Sequence, residues 1–273
     1  MLRSVAMRMT VLASGSRGNS TVLSSSCASI LVDAGISCKE TLKRMKAAGE
    51  DPQKLKAIVI SHEHQDHVAG LQVLARKLAI PVYITEPTYH SWRRATKDPE
   101  GKPARLERRE HFQAGRSFEI ADITVTAFTI PHDAADPCGF TFKADGVKVG
   151  VVTDLGYLPY SVKDHLRRCD GLMIESNHDL EMLRNGPYPW MVKQRVMSRV
   201  GHLSNTALAD FFEKDYDGQA GFIVLAHLSE PNNHPEIARE TAYKALGGKM
   251  SLFQSASVTL ALQDKPLQPI TLG

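Results

Sequence analysis

The six residues at positions 62–67 constrain the possible folds of this chain more than any other segment. They read His-Glu-His-Gln-Asp-His and directly follow the mainly apolar run 55–60. Neutral imidazoles and carboxylates are groups that bind borderline cations such as zinc. A β-strand that ends at Ile60 would carry them in its exit loop, which predicts a metal site at the edge of a sheet. A histidine-rich surface loop is the alternative interpretation.

The spacing within this motif predicts two metal ions. His62 and His64 alternate in an extended turn and can bind one ion together. Asp66 and His67 open the next helix and face a second ion. The motif therefore calls for further ligands elsewhere in the chain, because each ion needs about four.

Length and composition predict one domain that spans residues 1–273. Of the 273 residues, 42% are hydrophobic and 23% are charged, which is ordinary for a globular protein. No run approaches the ~18 apolar residues of a membrane span, and the N-terminal apolar stretch is too short for a signal peptide. The four cysteines contain no C-x-x-C pair, which fits a reducing compartment, so we expect a cytoplasmic protein.

Apolar runs and helical periodicity alternate along the chain and predict an α/β fold. Strands are predicted at 10–13, 21–24, 29–33, 57–60, 82–84, 123–130, 140–143, 147–152, 171–175 and 222–226. Helices are predicted at 39–48, 68–78, 180–184, 190–199, 206–214 and 235–246. Two β-rich halves flanked by helices predict two sheets packed face to face with the helices outside.

Basic residues are concentrated between positions 93 and 109, although the net charge of the whole chain is only +3. The stretch holds seven basic and three acidic residues: Arg93, Arg94, Lys97, Lys102, Arg105, Arg108 and Arg109 against Asp98, Glu100 and Glu107. It is either a contact surface for a phosphate backbone or a solvated, salt-bridged loop. Arg195 and Arg199 on the predicted helix 190–199 leave the same two alternatives open.

Three further candidates directly follow predicted strands, where functional side chains commonly lie. They are His132, Asp154 and His227. A single polar residue in such a place is usually an ordinary loop residue, but the first motif already requires additional ligands.

The complete set predicts a hydrolase with two metal ions. One ion is assigned to His62, His64 and His132, the other to Asp66, His67 and His227, and both to the bridging carboxylate of Asp154. A metal-bound water loses a proton near pKa ~7, and the resulting bridging hydroxide is a nucleophile at neutral pH. Zinc is the expected metal, and manganese or iron remains open at such a mixed site.

The same residues resemble the five motifs of the metallo-β-lactamase fold. The resemblance rests on Asp33, the 62–67 motif, His132, Asp154 and His227, and it spans nearly the whole chain. It implies a four-layer αββα sandwich in which Asp33 orients a ligand histidine of the 62–67 motif. The fourth motif carries Asp154 where many true β-lactamases carry a cysteine, which argues against an antibiotic hydrolase.

Within that fold, several sequence blocks resemble the bacterial YycJ/WalJ group, which is related to ribonuclease Z and ribonuclease J. The blocks are 14–19, 131–134, 153–157, 175–179, 201–205 and 226–229 with the asparagine pair 232–233. The resemblance implies phosphodiester hydrolysis, with 5′-to-3′ exonuclease action on DNA as the leading activity and single-stranded or 5′-end DNA as the partner.

The catalytic residues implied by the resemblance are Glu175 and His202, which match a pair found in ribonuclease Z-like enzymes. Asp66 is expected to take part in catalysis as well as to bind metal. His202 precedes a helix for which Ser204 is a good N-cap, so Ser204 and Asn205 are candidate substrate-binding residues. His178 is expected beside the site as a supporting residue, and a helix-start residue and a substrate contact are both open for it.

Two alternatives to a DNA nuclease remain on the same fold, namely a small-molecule cyclic phosphodiesterase and a glyoxalase-type thioester hydrolase. The β-CASP insertion typical of ribonuclease J-type enzymes is not expected here, and neither is the long arm that ribonuclease Z-type enzymes use to hold tRNA. A protein that keeps its metals only for structure is a third alternative, disfavoured by the open coordination position.

Overall fold

The computed structural model describes residues 7–97, 101–247 and 257–273. Asp98 and Glu100 of the basic stretch lie outside these ranges.

The strands are β1 (Met7–Ala13), β2 (Ser20–Ser24), β3 (Ser29–Val32), β4 (Leu55–Val59), β5 (Val82–Ile84), β6 (Arg109–His111), β7 (Ser117–Ile120), β8 (Ile123–Thr129), β9 (Cys138–Ala144), β10 (Val147–Val152), β11 (Gly171–Glu175), β12 (Phe222–Ala226), β13 (Ser257–Leu260) and β14 (Ile270–Leu272).

The helices alternate with these strands. They are α1 (Cys38–Ala47), α2 (Gln65–Val68), α3 (Leu71–Leu78), α4 (Glu86–Ala95), α5 (Tyr160–Leu166), α6 (Leu180–Asn185), α7 (Trp190–Val196), α8 (Asn205–Lys214) and α9 (Pro235–Leu246). In the parts of the chain that the structure describes, no helix combines the length and apolar character needed to cross a membrane.

The chain forms two compact units. Unit 1 comprises Met1–Thr129, Ala134–Val147 and Leu262–Gly273, and unit 2 comprises Ile130–Asp133 and Lys148–Ala261. The prediction of a single domain over residues 1–273 stays a prediction.

Unit 1 contains a mixed sheet with the strand order β14-β1-β2-β3-β4-β5-β6. Pairing is antiparallel from β14 to β3 and parallel from β3 to β6. Strands β7, β8 and β9 of the same unit pair antiparallel in chain order. The apolar core of this unit includes Val22, Ile58, Leu74 and Trp92, all fully or almost fully buried. The metal motif leaves the sheet at the C-terminal end of β4.

Unit 2 is built on parallel strands β10, β11, β12 and β13, paired in that order. Parallel pairing brings the C-terminal ends of these strands to one edge of the sheet. Asp154, Glu175 and His227 lie at or just beyond the ends of three of them, so the topology alone gathers these side chains.

One predicted helix, 68–78, is interrupted in the structure. The chain forms α2, breaks at Ala69 and Gly70, and continues as α3. The reason is a close backbone approach: the Gly70 N–H donates to the Ala34 carbonyl at 2.8 Å, and a Cβ at Gly70 would lie 2.1 Å from the Ile36 oxygen. The sequence periodicity did not reveal this contact.

The loop after β3 holds α2 by backbone contacts. The Ala34 N–H donates to the His67 carbonyl at 2.8 Å, and the Asn19 N–H donates to the Asp66 carbonyl at 2.7 Å. Gly35 lies against the same Asp66 carbonyl, since a Cβ at this position would be 1.6 Å from that oxygen. The position of the metal motif in unit 1 therefore depends on a glycine at position 35.

We predict that Gly35→Ala displaces α2, because the new methyl group overlaps backbone that cannot move independently. The free energy of unfolding should fall by about 3 kcal/mol, and the purified protein should retain less metal. Chemical denaturation and elemental analysis measure the two effects. Gly221→Ala is the matched control, because the nearest atom to its Cβ is 3.9 Å away. Equal stability and metal content in the two variants would refute the prediction.

Candidate metal centre

The four predicted ligands of the 62–67 motif lie together in unit 1. The ring of His62 is 4.7 Å from that of His64 and 4.1 Å from that of His67, measured between centroids. His67 Nε2 is 3.4 Å from an Asp66 carboxylate oxygen. His62 and His67 are fully buried, whereas His64 precedes α2 and is partly exposed. This part of the chain forms a cluster of imidazoles and one carboxylate.

Asp33 is hydrogen-bonded to His67 and to Ser61 in unit 1. Its Oδ2 accepts hydrogen bonds from His67 Nδ1 at 2.7 Å and from the Ser61 hydroxyl at 2.8 Å, and its Oδ1 accepts from the Ser61 N–H at 2.8 Å. An imidazole that donates through Nδ1 keeps its lone pair on Nε2. The contact therefore prepares His67 to bind a metal through Nε2.

Asn19 is a residue of this cluster that the sequence analysis missed. Its side-chain nitrogen lies 3.1 Å from an Asp66 carboxylate oxygen and 3.0 Å from His67 Nε2. Its side-chain oxygen accepts from the Gly15 N–H at 2.9 Å, and its carbonyl accepts from the Gly35 N–H at 2.9 Å. The signal in the sequence was the 14–19 block, one of the blocks that resemble the YycJ/WalJ group.

A second group of candidate residues lies in unit 2. Asp154, Glu175, His202 and His227 each offer a ligand atom, and these atoms all lie within 4.8 Å of one another. The His132 ring is 5.5 Å from that of His202, and His132 Nδ1 donates to the Gly201 carbonyl at 3.3 Å. The structure therefore gathers the three predicted ligands of this unit with the predicted catalytic pair.

Glu175 is the fully buried centre of this group. Its Oε1 accepts from His202 Nδ1 at 2.8 Å and from His227 Nδ1 at 2.9 Å. Its Oε2 accepts from the backbone N–H groups of Leu155 at 2.9 Å and Leu203 at 3.1 Å. Both carboxylate oxygens are thus satisfied, and three loops of unit 2 are fixed to one side chain.

These contacts determine the protonation states of Glu175 and His202. Burial by itself raises the pKa of Glu175, but the charge of His202 and the hydrogen bonds from His202 and His227 outweigh it and lower the pKa to about 2. Burial lowers the pKa of His202, whereas the charge and hydrogen bond of Glu175 raise it, with a net rise above the ordinary value for histidine. Glu175 is therefore an anion that favours the imidazolium form of its partner.

Three of the predicted site residues have a left-handed backbone conformation. The φ angles are 59° at Asp33, 62° at Asp154 and 55° at His227. Each follows the end of a strand, and this conformation is uncommon for residues other than glycine, although Asp, Asn and His adopt it more readily than most. The turn redirects the chain at once, so each of these side chains occupies a position that a continued strand would not give it.

His178, Ser204 and Asn205 belong to a buried polar network in the same unit. The Asn205 side chain exchanges hydrogen bonds with Asn233 at 2.9 and 3.0 Å and accepts from the Ser176 hydroxyl at 2.7 Å. The Ser204 hydroxyl caps α8 by accepting from the Ala207 N–H. These contacts give both residues a structural role, and the substrate-binding role predicted for them stays a prediction.

His178 is almost completely buried and contacts the side chain of Asn177 at 3.3 Å. Its carbonyl accepts from the Asn205 N–H at 2.9 Å. Burial is the main cause that lowers the pKa of His178 to about 4. It is therefore a neutral imidazole near physiological pH, which is consistent with a supporting contact.

Arg108 of the basic stretch lies at the end of the unit 1 sheet opposite the metal motif. The Arg108 carbonyl accepts from the N–H of Val82, the first residue of β5, and the Arg108 side chain donates to the Ala79 carbonyl at 2.7 Å. The metal motif follows the opposite, C-terminal end of the neighbouring parallel strand β4. For Arg108, this placement favours the solvated-loop interpretation.

Comparison with known proteins identifies the superfamily of this chain. Residues 28–227 match the Beta-lactamase superfamily domain. The crystal structure of the metallo-β-lactamase fold protein YhfI from Bacillus subtilis superposes with a TM-score of 0.70 at 19% identity, covering 96% of this chain and 99% of that one. The predicted fold class, an α/β metallo-β-lactamase sandwich, is confirmed.

Two curated relatives show to which family of this superfamily the chain belongs. The chain is 36% identical over 242 residues to the exodeoxyribonuclease WalJ of Streptococcus pneumoniae, covering 89% of each chain. It is also 36% identical over 243 residues to the exodeoxyribonuclease YycJ of Bacillus anthracis, covering 89% of this chain and 90% of the relative. The protein belongs to the β-lactamase superfamily and, within it, to the WalJ/YycJ family.

We predict that Asn205→Ala lowers stability more than it lowers activity. Removal of the amide takes away the acceptor of the buried Ser176 hydroxyl and two hydrogen bonds of Asn233, which should cost about 2 to 4 kcal/mol. At 25 °C, kcat/KM on single-stranded DNA should stay within about threefold of the wild-type value, because the folded population still dominates. The exposed Asn185→Ala change in α6 is the control. Unchanged stability with a large loss of kcat/KM would instead support the substrate-binding role.

Proposed function

We propose that this protein is a metal-dependent phosphodiesterase that degrades DNA as a 5′-to-3′ exonuclease. The observation that carries the proposal is the buried Glu175 carboxylate, which fixes the imidazoles of His202 and His227 at 2.8 and 2.9 Å. Such a pair suits proton donation to a leaving oxygen or contact with a phosphate. The names of the 36%-identical relatives support DNA as the substrate.

The side chains of the predicted ligand set fit divalent metal ions. Five imidazoles and two carboxylates are typical ligands of borderline cations. Three of the imidazoles already use Nδ1 in hydrogen bonds: His67 to Asp33, His132 to the Gly201 carbonyl and His227 to Glu175. A histidine that donates through Nδ1 carries its lone pair on Nε2, which is the tautomer that a ligand bond through Nε2 requires.

The proposed ligand assignment follows the sequence pattern. One ion would be held by His62, His64 and His132, the other by Asp66, His67 and His227, with the Asp154 carboxylate serving both. When bound, such ions supply an activated water and positive charge beside the scissile phosphate. Zinc is the proposed metal, with manganese or iron as the alternatives.

The protein's own side chains position the substrate and move a proton. His202 Nδ1 donates to Glu175, so Nε2 is the atom that can donate to the leaving oxygen or to a phosphate oxygen. Glu175 keeps the ring in this orientation and favours its protonated form. We also assign Asp66 a part in catalysis in addition to metal binding. A cytoplasmic location fits the four cysteines, which are all free thiols.

A substrate panel tests the proposal. The metal-loaded protein is incubated with 5′-phosphorylated single-stranded DNA, the same sequence as RNA, a cyclic dinucleotide and a glutathione thioester. We expect progressive release of mononucleotides from the 5′ end of DNA. Cleavage confined to the cyclic dinucleotide would establish a small-molecule phosphodiesterase, and cleavage confined to the thioester would establish a glyoxalase-type hydrolase.

We predict that Asp154→Ala abolishes turnover and weakens metal retention, because loss of a shared carboxylate leaves the repulsion between two cations uncompensated. Elemental analysis should find about two metal equivalents in the wild type and fewer in the variant. Asp145→Ala is the matched control, because Asp145 also has a positive φ of 47° but is exposed in a turn. A variant with full metal content and normal turnover would contradict the assignment.

We predict that His202→Ala keeps both metal ions but loses about 10²- to 10⁴-fold in rate, as expected for removal of a general acid or phosphate-binding group. Steady-state kinetics on DNA, paired with elemental analysis of the same sample, separates this effect from metal loss. His90→Ala removes a half-exposed histidine on α4 and should leave kcat unchanged. An unchanged kcat in His202→Ala would exclude the proposed role.

A further inference from the structure

Helix α7 exposes three consecutive apolar side chains to solvent. The exposed fractions are 62% for Trp190, 79% for Met191 and 39% for Val192, and Val200 beyond the helix is 42% exposed. We call these four residues the α7 apolar face. Apolar side chains grouped on a surface in this way commonly mark an interaction site. The other tryptophan, Trp92, is only 1% exposed.

The segment that carries this face is fixed to the loops of the catalytic residues in unit 2. The His202 N–H donates to the Val196 carbonyl at 2.9 Å, and the Asp133 N–H donates to the Val200 carbonyl at 3.2 Å. Arg195 Nε donates to the Asp133 carboxylate at 2.6 Å. Asp133 directly follows His132, so α7 is bound to the loops of both His132 and His202.

A third connection leads to the loop of Asp154. The Arg199 guanidinium lies over the Tyr157 ring, 4.4 Å from its centroid. A Cβ at Gly156 would be 2.3 Å from the Arg199 carbonyl carbon, so the two loops are in direct backbone contact. The α7 apolar face is therefore continuous with the candidate centre of unit 2 and cannot shift independently of it.

The charge of the residues around the α7 apolar face favours a polyanion as its binding partner. Residues 182–201 contain Arg184, Lys193, Arg195 and Arg199 and no aspartate or glutamate. Arg184 pairs with Glu181 at 2.9 Å and Arg195 pairs with Asp133 at 2.6 Å. Lys193 is buried and donates to the Arg184 carbonyl, and Arg199 is exposed, so these two cations make up the positive excess of the segment. Two copies of such a segment would repel each other, which disfavours self-association through this face, whereas a phosphate backbone would be attracted.

Exposed aromatic side chains among basic residues are typical of surfaces that bind single-stranded nucleic acid, where bases stack on the rings and cations follow the phosphates. Six residues separate Trp190 from Val196, which is about 9 Å along a helix axis. That length corresponds to about two or three nucleotides at the ~3.4 Å spacing of stacked bases. The face is thus within a few nucleotides of His202.

We propose that the α7 apolar face binds the unpaired bases of the substrate strand, with Trp190 as the stacking residue. The proposal rests on the proposed nuclease function, because it assigns the DNA strand a path away from the candidate centre. This contact gives the enzyme a preference for single-stranded DNA, because bases that are stacked within a duplex cannot stack on Trp190.

Intrinsic fluorescence tests the contact directly, because Trp190 is the exposed one of the two tryptophans. The metal-loaded protein is titrated with a phosphorothioate-linked single strand of about twelve nucleotides, a length within the range of such sites. The control strand has the same backbone with abasic residues. We expect quenching by the base-containing strand, little quenching by the abasic strand, and no quenching in Trp190→Phe. Equal quenching by both strands, or none by either, would overturn the proposal.

Kinetics supply the second test. Trp190→Ala should raise KM for single-stranded DNA about 5- to 150-fold, the range for loss of one stacked base, and Trp190→Phe should restore most of it. Hydrolysis of bis(p-nitrophenyl) phosphate, which is too small to span the distance, should not change. Tyr243→Ala removes another exposed aromatic side chain, on α9, and serves as the matched control.

The remaining outcomes are also decisive. Equal losses of activity on DNA and on the small ester in Trp190→Ala would mean that Trp190 supports the fold. A wild-type dimer that dissociates in this variant would mean that the α7 apolar face binds a second copy of the chain. Either result would overturn the proposal. If the wild type hydrolyses only a thioester, the nuclease function fails, and the fluorescence titration still decides whether the α7 apolar face binds bases.

Discussion

The arrangement of unit 2 depends on a single buried anion. Glu175 has no contact with solvent, and a carboxylate in such a place is tolerated only when its oxygens receive hydrogen bonds. Four donors meet this need, two from imidazoles and two from the backbone of Leu155 and Leu203. Loss of any one donor would leave part of a buried charge uncompensated. The loops that follow β10 and β12, and the loop before α8, are therefore held in place by electrostatics as much as by packing.

Much of this arrangement follows from the sequence, because strands end where apolar runs end. The bounds of β5, β10, β11 and β12 agree with the apolar runs, and α9 agrees with its periodic pattern. Once β10 to β12 are parallel, geometry places the polar residues that follow them at one edge. The grouping of Asp154, Glu175 and His227 thus required only the strand ends and the sheet type to be correct.

Other features depend on contacts that a linear pattern does not encode. Asn19 is 47 residues from Asp66 along the chain, and no periodicity marks an amide that will bond to a distant carboxylate. Strand β14 pairs with β1 from the other end of the sequence. Helix α4 was missed although Thr85 caps it and proline follows at its second residue, because histidine, tryptophan and arginine obscure its apolar stripe. The split between α2 and α3 depends on a backbone approach at Gly70.

The left-handed backbone at Asp33, Asp154 and His227 has a consequence for the history and redesign of this protein. Each such residue stores strain of about 1 kcal/mol or more, which the rest of the fold must offset. Glycine would relieve that strain at each of the three positions, and it would remove the side chain to which we assign a role in the metal site. Selection for thermal stability alone would therefore favour replacement of these three residues by glycine. On the proposed ligand assignment, these three positions trade backbone stability for a side chain that binds or orients a metal ligand.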